Sequence, residues 1–265
     1  MPEENSQISK PSVRRAMKFA LGDAYHNAGT VILTNLFWTA TFVPCLLIGL
    51  RMREGSSPLY FLLLGGSFLL VSPALAGIYA ISRKIAIKEY DIERSDFFSG
   101  IKEHWKKSLI FSLICVIVPL VVGSSLMFYG QLISTNPFSI ILWVVSVWIL
   151  IFFLLAQIYF FPLAITQKMG VVQILKTSFL LALNNIGFTL VILLLELLIL
   201  LLSSITGIIF LAGVSVIALL QSNAFVEIAK RYTGEEIRKE IKREGDEKKN
   251  LRDVIRDIFF PWKYD

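Results

Sequence analysis

Long, uninterrupted runs of apolar residues alternate with short polar segments along most of this chain. Each run is apolar on every side and lacks the alternation in steps of two that a half-buried strand shows. An α-helix rises about 1.5 Å per residue, so that about 20 residues cross the roughly 30 Å hydrocarbon core of a bilayer. The pattern therefore predicts an all-α integral membrane protein with six transmembrane helices, at residues 30–50, 59–81, 108–133, 139–165, 185–202 and 205–226.

A second pattern precedes every other apolar run. Apolar residues recur there three and four positions apart, as on one face of an amphipathic helix. This spacing is found in three segments, 12–29, 95–108 and 170–185. Each segment contains a polar break, at 26–27, 104–106 and 184–185. We therefore expect three repeated units, each a cytoplasmic interfacial amphipathic helix followed by a transmembrane hairpin. Any six-span protein shows hairpins, so the recurrent amphipathic helix is what favours a true repeat.

The second amphipathic segment carries the most specific expectation. One side of residues 96–107 bears the apolar residues Phe97, Phe98, Ile101 and Trp105. Such a helix lies in the plane of the membrane interface with its apolar side toward the lipid. We expect this helix to lie along the cytoplasmic face.

The positively charged residues indicate the orientation. Of the 26 lysines and arginines, 24 lie before the first run, after the second, after the fourth or after the sixth. The other two, Arg51 and Arg53, follow the first run. Because cytoplasmic loops of membrane proteins are enriched in Lys and Arg, both termini are expected in the cytoplasm.

Composition agrees with a membrane protein. The chain is 55% hydrophobic and 17% charged, with a mean hydropathy of +0.67, whereas soluble proteins are about 25% charged. The net charge of +6 then reflects topology and contact with anionic lipid headgroups. The bilayer is the expected partner, and a nucleic acid is not.

On this interpretation the chain has three parts. Residues 1–11 form a flexible N-terminal arm, residues 12–231 a six-span membrane domain, and residues 232–265 a charged cytoplasmic tail. In the tail, Glu alternates with Lys and Arg as on a solvated helix. Its end, "FFPWKYD", either lies on the membrane, since aromatic residues favour the interface, or is disordered.

Glu196 is the one acid within the apolar runs, in the stretch "VILLLELLILLL". An acid at the centre of a membrane costs about 2.5 to 3.5 kcal/mol, so we expect Glu196 to be protonated and to face the bundle interior. Counted from the ends of the predicted spans, Ser67, Ser124 and Ser125 lie at a similar depth in the membrane and are its candidate partners. Gln221 lies nearer the cytoplasmic side by the same count. Three roles stay open: a neutral acid satisfied by its neighbours, a proton or solute site, and an oligomer contact.

Signatures of enzymes are missing from the sequence. It contains no H-E-x-x-H, no G-x-S-x-G, no Walker lysine motif and no paired cysteine ligands. His26 and His104 both lie in the amphipathic segments, where each is a candidate for capping a helix or for pairing with a lipid phosphate. We expect no catalytic residue, no cofactor and no metal ion.

The second apolar run and the loop after it carry a recognisable motif, "SPALAGIYAISRKIAIKEYDIERSDFFSGIKEHWKKS". It resembles the YesL-like family of bacterial membrane proteins, whose function is not established. The residues that carry the resemblance are Pro73, Ala74, Tyr79, Arg83, Lys84, Asp96, Phe97 and Phe98. Two further stretches are similar to the family's pattern, "NLFW" (35–38) with Pro44, and "YFFPLAI" (159–165). The resemblance extends over residues 14–234 and departs at Ser72, where the family has Gly.

The resemblance implies an accessory role, because genes of this family often lie beside sugar-uptake systems. We therefore expect a non-enzymatic accessory or scaffold component of carbohydrate uptake or sensing in the bacterial cell membrane. Its partner is expected to be a transporter or a signalling protein. The candidate surface for that partner, or for anionic lipid, consists of Arg83, Lys84, Lys102, Lys106 and Lys107. The alternative is a small-solute or proton-coupled transporter or channel in its own right.

Overall fold

The computed structural model describes residues 10–51, 58–89 and 91–233. Within these ranges the chain is helical and has no strand, as the apolar pattern predicted. The α-helices are α1 (Val13–His26), α2 (Ala28–Arg51), α3 (Pro58–Ala86), α4 (Arg94–Leu132), α5 (Phe138–Thr166), α6 (Val171–Asn184), α7 (Ile186–Ile205) and α8 (Gly213–Thr233). Residues 1–9 of the predicted N-terminal arm and residues 234–265 of the predicted charged tail lie outside the described residues.

Several of these helices have the length and composition of a membrane span. Among the described residues they are α2, the part Leu63–Ala86 of α3, α4, α5 and α7. α8 is less apolar, because it carries Gln221, Asn223 and Glu227, all of them buried. The described chain therefore has five to six apolar helices, which is consistent with a membrane protein.

Two of the predicted helix breaks are present, and both are made by asparagine. Asn27 separates α1 from α2, and Asn185 separates α6 from α7. In each, the side-chain amide donates to the carbonyl four residues back, at 2.9 Å to Asp23 and 3.0 Å to Leu181. A short amide that bonds its own backbone competes with helical geometry. The predictions at 26–27 and 184–185 are therefore confirmed.

The predicted break at 104–106 is wrong. Arg94–Leu132 is one continuous helix of 39 residues, so the predicted interfacial helix 96–107 and the predicted span 108–133 form a single rod of about 58 Å. His, Trp and Lys are all tolerated inside a helix, and none of them bonds its backbone as Asn27 does. Because the rod is continuous, its first turns do not lie along the membrane face while the rest crosses it.

The last predicted span begins too early. The sequence pattern predicts a helix over 205–226, but the structure begins α8 only at Gly213 and continues it to residue 233. The intervening turn contains Gly207, whose φ of 72° lies in the left-handed region that favours glycine, and a 3-10 helix at Ile208–Phe210. Gln221 therefore lies near the middle of its helix instead of near one end. Each of the other five predicted spans lies on one helix, and the span 139–165 agrees with α5 to within one residue at both ends.

The three amphipathic segments bury their small and polar residues more than their large apolar ones. The buried residues are Ala16, Ala20 and Asp23 in α1, Phe97, Gly100, His104 and Ser108 in α4, and Ile174, Ser178 and Ala182 in α6. The exposed large residues include Met17, Leu21, Tyr25, Phe98, Trp105, Val172 and Leu180. Phe97 and Phe98 thus do not share one environment, contrary to the expectation for 96–107. The exposed apolar side chains suit lipid or the membrane interface.

Close packing explains why α4 buries a glycine. A Cβ on Gly100 would lie 2.6 Å from the Cβ of Ala80 and 3.2 Å from the carbonyl oxygen of Ala76. A Cβ on Gly77 would lie 2.7 Å from the ring of Phe97. Small residues on both helices thus let α3 and α4 approach closely, which is how helices associate in membranes.

Helix α3 is central to the bundle and packs on α2, α4, α5 and α8. Consecutive helices also pack in pairs, α2 on α3, α4 on α5, and α7 on α8. Stacked rings join α3, α4 and α5: Tyr79 stacks on Phe161 with ring centroids 4.7 Å apart, and Phe111 stacks on Phe160. These pairs are compatible with the predicted hairpins, whose direction across the membrane stays a prediction.

Candidate functional site

A buried polar network joins α3, α7 and α8 in the interior of the bundle. Glu196 is 6% exposed and has the side chain of Gln221 as a hydrogen-bond partner. The hydroxyl of Tyr79 donates to Oε1 of Gln221. Because the amide oxygen of Gln221 accepts from Tyr79, its NH₂ group is the part that faces Glu196. The amide thus connects a phenol and a carboxyl group on two other helices.

One atom of this network has no partner. Oε1 of Glu196 is buried and makes no hydrogen bond within the described residues. A buried polar atom without a partner is costly, because it has lost its hydrogen bonds to water. The carboxyl group of Glu196 is therefore the least satisfied part of the network and the part that is able to accept a further donor.

A second tyrosine lies close to the same carboxyl group. Tyr159 of α5 and Glu196 are near enough to interact electrostatically, as are Tyr79 and Glu196. The hydroxyls of Tyr159 and Thr189 are 2.7 Å apart, and the Thr189 hydroxyl donates to the carbonyl of Asn185. Tyr159 is therefore the donor to Thr189 and has no second proton to give to Glu196.

The serines expected beside Glu196 bond to their own helices. The hydroxyl of Ser67 donates to the carbonyl of Leu64, at 2.8 Å. Ser124 and Ser125 donate to the carbonyls four residues before them, also at 2.8 Å. Helix α7, which carries Glu196, packs instead on α5 and α8, with smaller contacts to α1 and α6. Among the described residues, the hydrogen-bond partner of Glu196 is Gln221, which the sequence pattern predicted to lie nearer the cytoplasmic side.

A buried ion pair lies at another position, which the sequence reasoning missed. Asp23 of α1 is 1% exposed, and Nζ of Lys88 pairs with its Oδ1. The side-chain amide of Asn223 donates to its Oδ2, at 3.2 Å. The signal in the sequence was an acid at position 23 in phase with Ala16 and Ala20, at helical spacing on the buried side.

The lysines and arginines of the candidate partner surface lie at one end of the bundle, here called the basic end. This end is defined by Arg83, Lys84, Lys102, Lys106 and Lys107. Lys84 pairs with Asp96 at 2.8 Å. Nζ of Lys107 donates to the carbonyls of Ala164 and Gln167, at 3.2 and 3.4 Å. Lys84 therefore holds the last turn of α3 to α4, and Lys107 holds α4 to the end of α5.

The other three cations of the basic end are differently placed. Lys102 and Lys106 are exposed on the first turns of α4, and Nζ of Lys106 lies 5.6 Å from the centre of the Trp105 ring. Arg83 lines a cavity between the ends of three helices. The predicted surface is thus divided into two structural lysines, two exposed lysines and one arginine at a cavity.

The two histidines are not brought together into a metal site. His26 ends α1, and His104 is buried in α4. In the described part of the chain, no three His, Cys, Asp or Glu side chains gather as ligands of a metal ion.

Over the described ranges, the protein is helical, has the apolar helices of a membrane protein, and buries the carboxyl group of Glu196 beside Gln221. Residues 31–126 match a family described as a protein of unknown function, DUF624. The match covers α2, α3 and most of α4, and includes the sequence motif from Pro73 to Phe98. No curated protein and no solved structure matches the chain. The resemblance to YesL-like proteins goes beyond this match and stays an interpretation of the sequence.

Proposed function

We propose that this protein is a multi-pass protein of the bacterial cell membrane with both termini in the cytoplasm. It acts there as a non-enzymatic accessory component of carbohydrate uptake or sensing, and its basic end docks on a transporter or a signalling protein. The link to carbohydrate depends on the resemblance to the YesL-like family. The orientation depends on the distribution of basic residues.

One structural observation carries the docking role. Lys102, Trp105 and Lys106 are exposed on the first turns of α4, which is one continuous helix of 39 residues. That helix is about 58 Å long, whereas the hydrocarbon core is about 30 Å thick. A rigid rod thus presents two cations and an indole at the predicted cytoplasmic end. Arginine, lysine and aromatic side chains of this kind contact acidic protein surfaces and anionic headgroups.

The proposal is tested by complementation of a strain from which the gene is deleted. Uptake of a panel of radiolabelled mono- and disaccharides is compared between the parent and the deletion strain. The double variant Lys102→Glu, Lys106→Glu is expected not to restore the lost uptake, because charge reversal repels an acidic partner. Lys176→Glu on α6, which removes an exposed lysine elsewhere, is the control and is expected to restore it.

Two outcomes contradict the proposal. Normal uptake of every sugar in the deletion strain removes the link to carbohydrate. Equal complementation by the double variant and by Lys176→Glu, at equal membrane abundance, removes the docking role of the basic end.

The second candidate function is a small-solute or proton-coupled transporter. The unpartnered Oε1 of Glu196 favours it, because a buried carboxyl group with one free acceptor is able to take a proton or a polar solute. Transport by the purified protein in proteoliposomes, without any partner, distinguishes this function from an accessory one.

A further inference from the structure

A cavity opens at the basic end between the last turns of α3, α5 and α8. Its volume is about 240 Å³, which equals the liquid volume of about eight water molecules. The residues around it include Arg83 from α3, Pro162 from α5, and Phe225 and Ala229 from α8. The cavity is thus large enough for a small ligand and has a wall from each of three helices.

Arg83 is the only charged group among the described residues that line this cavity. Its guanidinium group has no ion pair or hydrogen bond within the described chain, whereas its neighbour Lys84 pairs with Asp96. The nearby rim is also positive, since Lys107 donates to the carbonyl of Gln167, another lining residue. A positive site that has no acid among its described lining residues attracts an anion.

The wall of the cavity contains an unsatisfied polar group. Ser222 is 4% exposed, and its hydroxyl has no hydrogen-bond partner in the described residues. Ser222 is one of the lining residues, on the same helix as Phe225 and Ala229. A buried hydroxyl is normally hydrogen-bonded, so the lack of a partner beside a free guanidinium indicates a place for a ligand with acceptor oxygens.

Most of the remaining lining is apolar, which limits the kind of ligand. Ala86, Ile87, Pro162, Phe225, Val226 and Ala229 supply hydrocarbon surface. A fully hydrated inorganic anion gains nothing from such walls. An anionic head joined to a short apolar part satisfies the guanidinium and the hydroxyl and buries hydrocarbon against these side chains.

We propose that this cavity binds the phosphate or carboxylate group of a small amphiphilic ligand. Arg83 holds two oxygens of the anion with its planar fork of N–H donors, the geometry in which guanidinium recognises both groups. The Ser222 hydroxyl supplies a further donor, and the apolar walls hold the carbon chain. The anion comes either from a membrane lipid headgroup or from a soluble compound. The site binds its ligand whether or not Lys102 and Lys106 dock a partner.

The test uses the full chain, purified and placed in nanodiscs of phosphatidylcholine, with butyl phosphate as the probe. Binding is measured by isothermal titration calorimetry. Arg83→Gln is expected to weaken binding at least tenfold. Ala229→Leu is expected to weaken it as well, because it fills the cavity without changing any charge. Lys176→Gln, which removes an exposed lysine from α6 and so changes the net charge equally, is the control and is expected to bind as the unchanged protein does.

Two results overturn the site. One is equal weakening by Arg83→Gln and Lys176→Gln with no effect of Ala229→Leu, which indicates attraction by surface charge alone. The other is binding that no variant changes, or no binding at all, in samples whose thermal unfolding shows that they are folded.

A second arm identifies the source of the anion. Nanodiscs that contain phosphatidylglycerol are compared with those of phosphatidylcholine alone. Competition by phosphatidylglycerol that Arg83→Gln abolishes supports the site and assigns it to a lipid headgroup. Unchanged butyl phosphate binding in both membranes, again lost in Arg83→Gln, supports the site and assigns it to a soluble ligand.

Discussion

Lys88 and Asp23 form a buried ion pair that ties the loop after α3 to the last turn of α1. The side chain of Asp23 is 2% exposed and that of Lys88 is 17% exposed. Lys88 also has a φ of 58°, in the left-handed region that a residue with a side chain rarely adopts. The pair therefore fixes a strained loop position against a buried carboxylate.

Removing the carboxylate is expected to destabilise the protein. Asp23→Asn removes the counter-ion of the mostly buried Lys88 amine. The side-chain oxygen that the substitution keeps still accepts the hydrogen bond from Asn223. Breaking one partner of a buried pair costs about 3 to 5 kcal/mol. The free energy of unfolding, measured by denaturation in detergent, is expected to fall by about 3 kcal/mol.

Asp91→Asn is the matched control, because Asp91 is an exposed aspartate in the same loop. Its change in unfolding free energy is expected to be small. Equal effects of the two substitutions mean that the ion pair does not hold the loop.

Gly100 and Gly123 lie on the same helix but in opposite surroundings. A Cβ at Gly100 would lie 2.6 Å from that of Ala80, whereas no atom lies within 4 Å of a Cβ at Gly123. Gly100→Ala is expected to destabilise by about 1 to 3 kcal/mol, because two helix backbones must separate. Gly123→Ala is expected to be neutral or slightly stabilising, since alanine favours a helix by about 1 kcal/mol over glycine.

Thermal unfolding of both glycine variants in detergent measures this difference. Similar melting temperatures for the two variants are incompatible with close contact between α3 and α4 at Gly100.

The six-span orientation is tested by labelling single cysteines. In a variant with Cys45→Ala and Cys115→Ala, a cysteine at Asn136 or at Ser204 is expected to react with a membrane-impermeant maleimide in intact cells. Asn136 lies between α4 and α5, and Ser204 lies in the last turn of α7, both at helix ends opposite to the basic end. A reporter that is active only in the cytoplasm, fused after residue 265, is expected to be active. Unlabelled cysteines, or a silent reporter on an expressed fusion, contradict the orientation.

The helices and two of their breaks could be predicted from the sequence, because each depends on local chemistry. Apolar runs give the spans, and an asparagine amide that bonds the carbonyl four residues back ends a helix at Asn27 and at Asn185. The break at His104 was predicted from polarity alone. Polarity does not end a helix unless a side chain competes for the backbone, and α4 is therefore continuous.

The site was harder to predict, because it depends on how far each helix is shifted along its axis relative to its neighbours. A span beginning at residue 205 puts Gln221 near its inner end, whereas the helix that begins at Gly213 puts Gln221 level with Glu196. The turn at Gly207 and the following 3-10 helix make this difference, and the side chains of Asn35 and Thr39 in α2 donate to carbonyls of that segment. Asp23 was missed for a related reason. Its helical spacing puts it on the same side of α1 as Ala16 and Ala20, and this is the side that the structure buries. The prediction from the sequence instead took the side with the large apolar residues as the buried one.

Glu196 is expected to have a structural role. As a neutral acid it matches its surroundings, because Gln221 donates to it and no described cation pairs with it. Glu196→Gln keeps the size of the side chain and both kinds of hydrogen-bonding atom, so the free energy of unfolding is expected to stay unchanged. Glu196→Leu leaves the NH₂ group of Gln221 without its acceptor, at an expected cost of about 1 kcal/mol or less, as hydrogen bonds between membrane helices average about 0.6 kcal/mol.

Two comparisons make this prediction specific to the pair. Adding Gln221→Leu to Glu196→Leu is expected to cost less than Gln221→Leu alone, because the partner is already lost. Ser125→Ala is expected to change nothing, since that hydroxyl bonds within its own helix. Equal effects of Ser125→Ala and Gln221→Leu contradict the contact between α7 and α8.

Complementation of the deletion strain then distinguishes a structural carboxyl group from a transport site. A structural Glu196 requires only one donor and one acceptor, which glutamine also provides, so Glu196→Gln is expected to restore sugar uptake fully. A proton site requires a group that gains and loses a proton, which glutamine does not do. Loss of uptake in Glu196→Gln, at unchanged membrane abundance and unchanged unfolding, therefore contradicts the structural role. In that case the free Oε1 of Glu196 is the binding atom of a transporter.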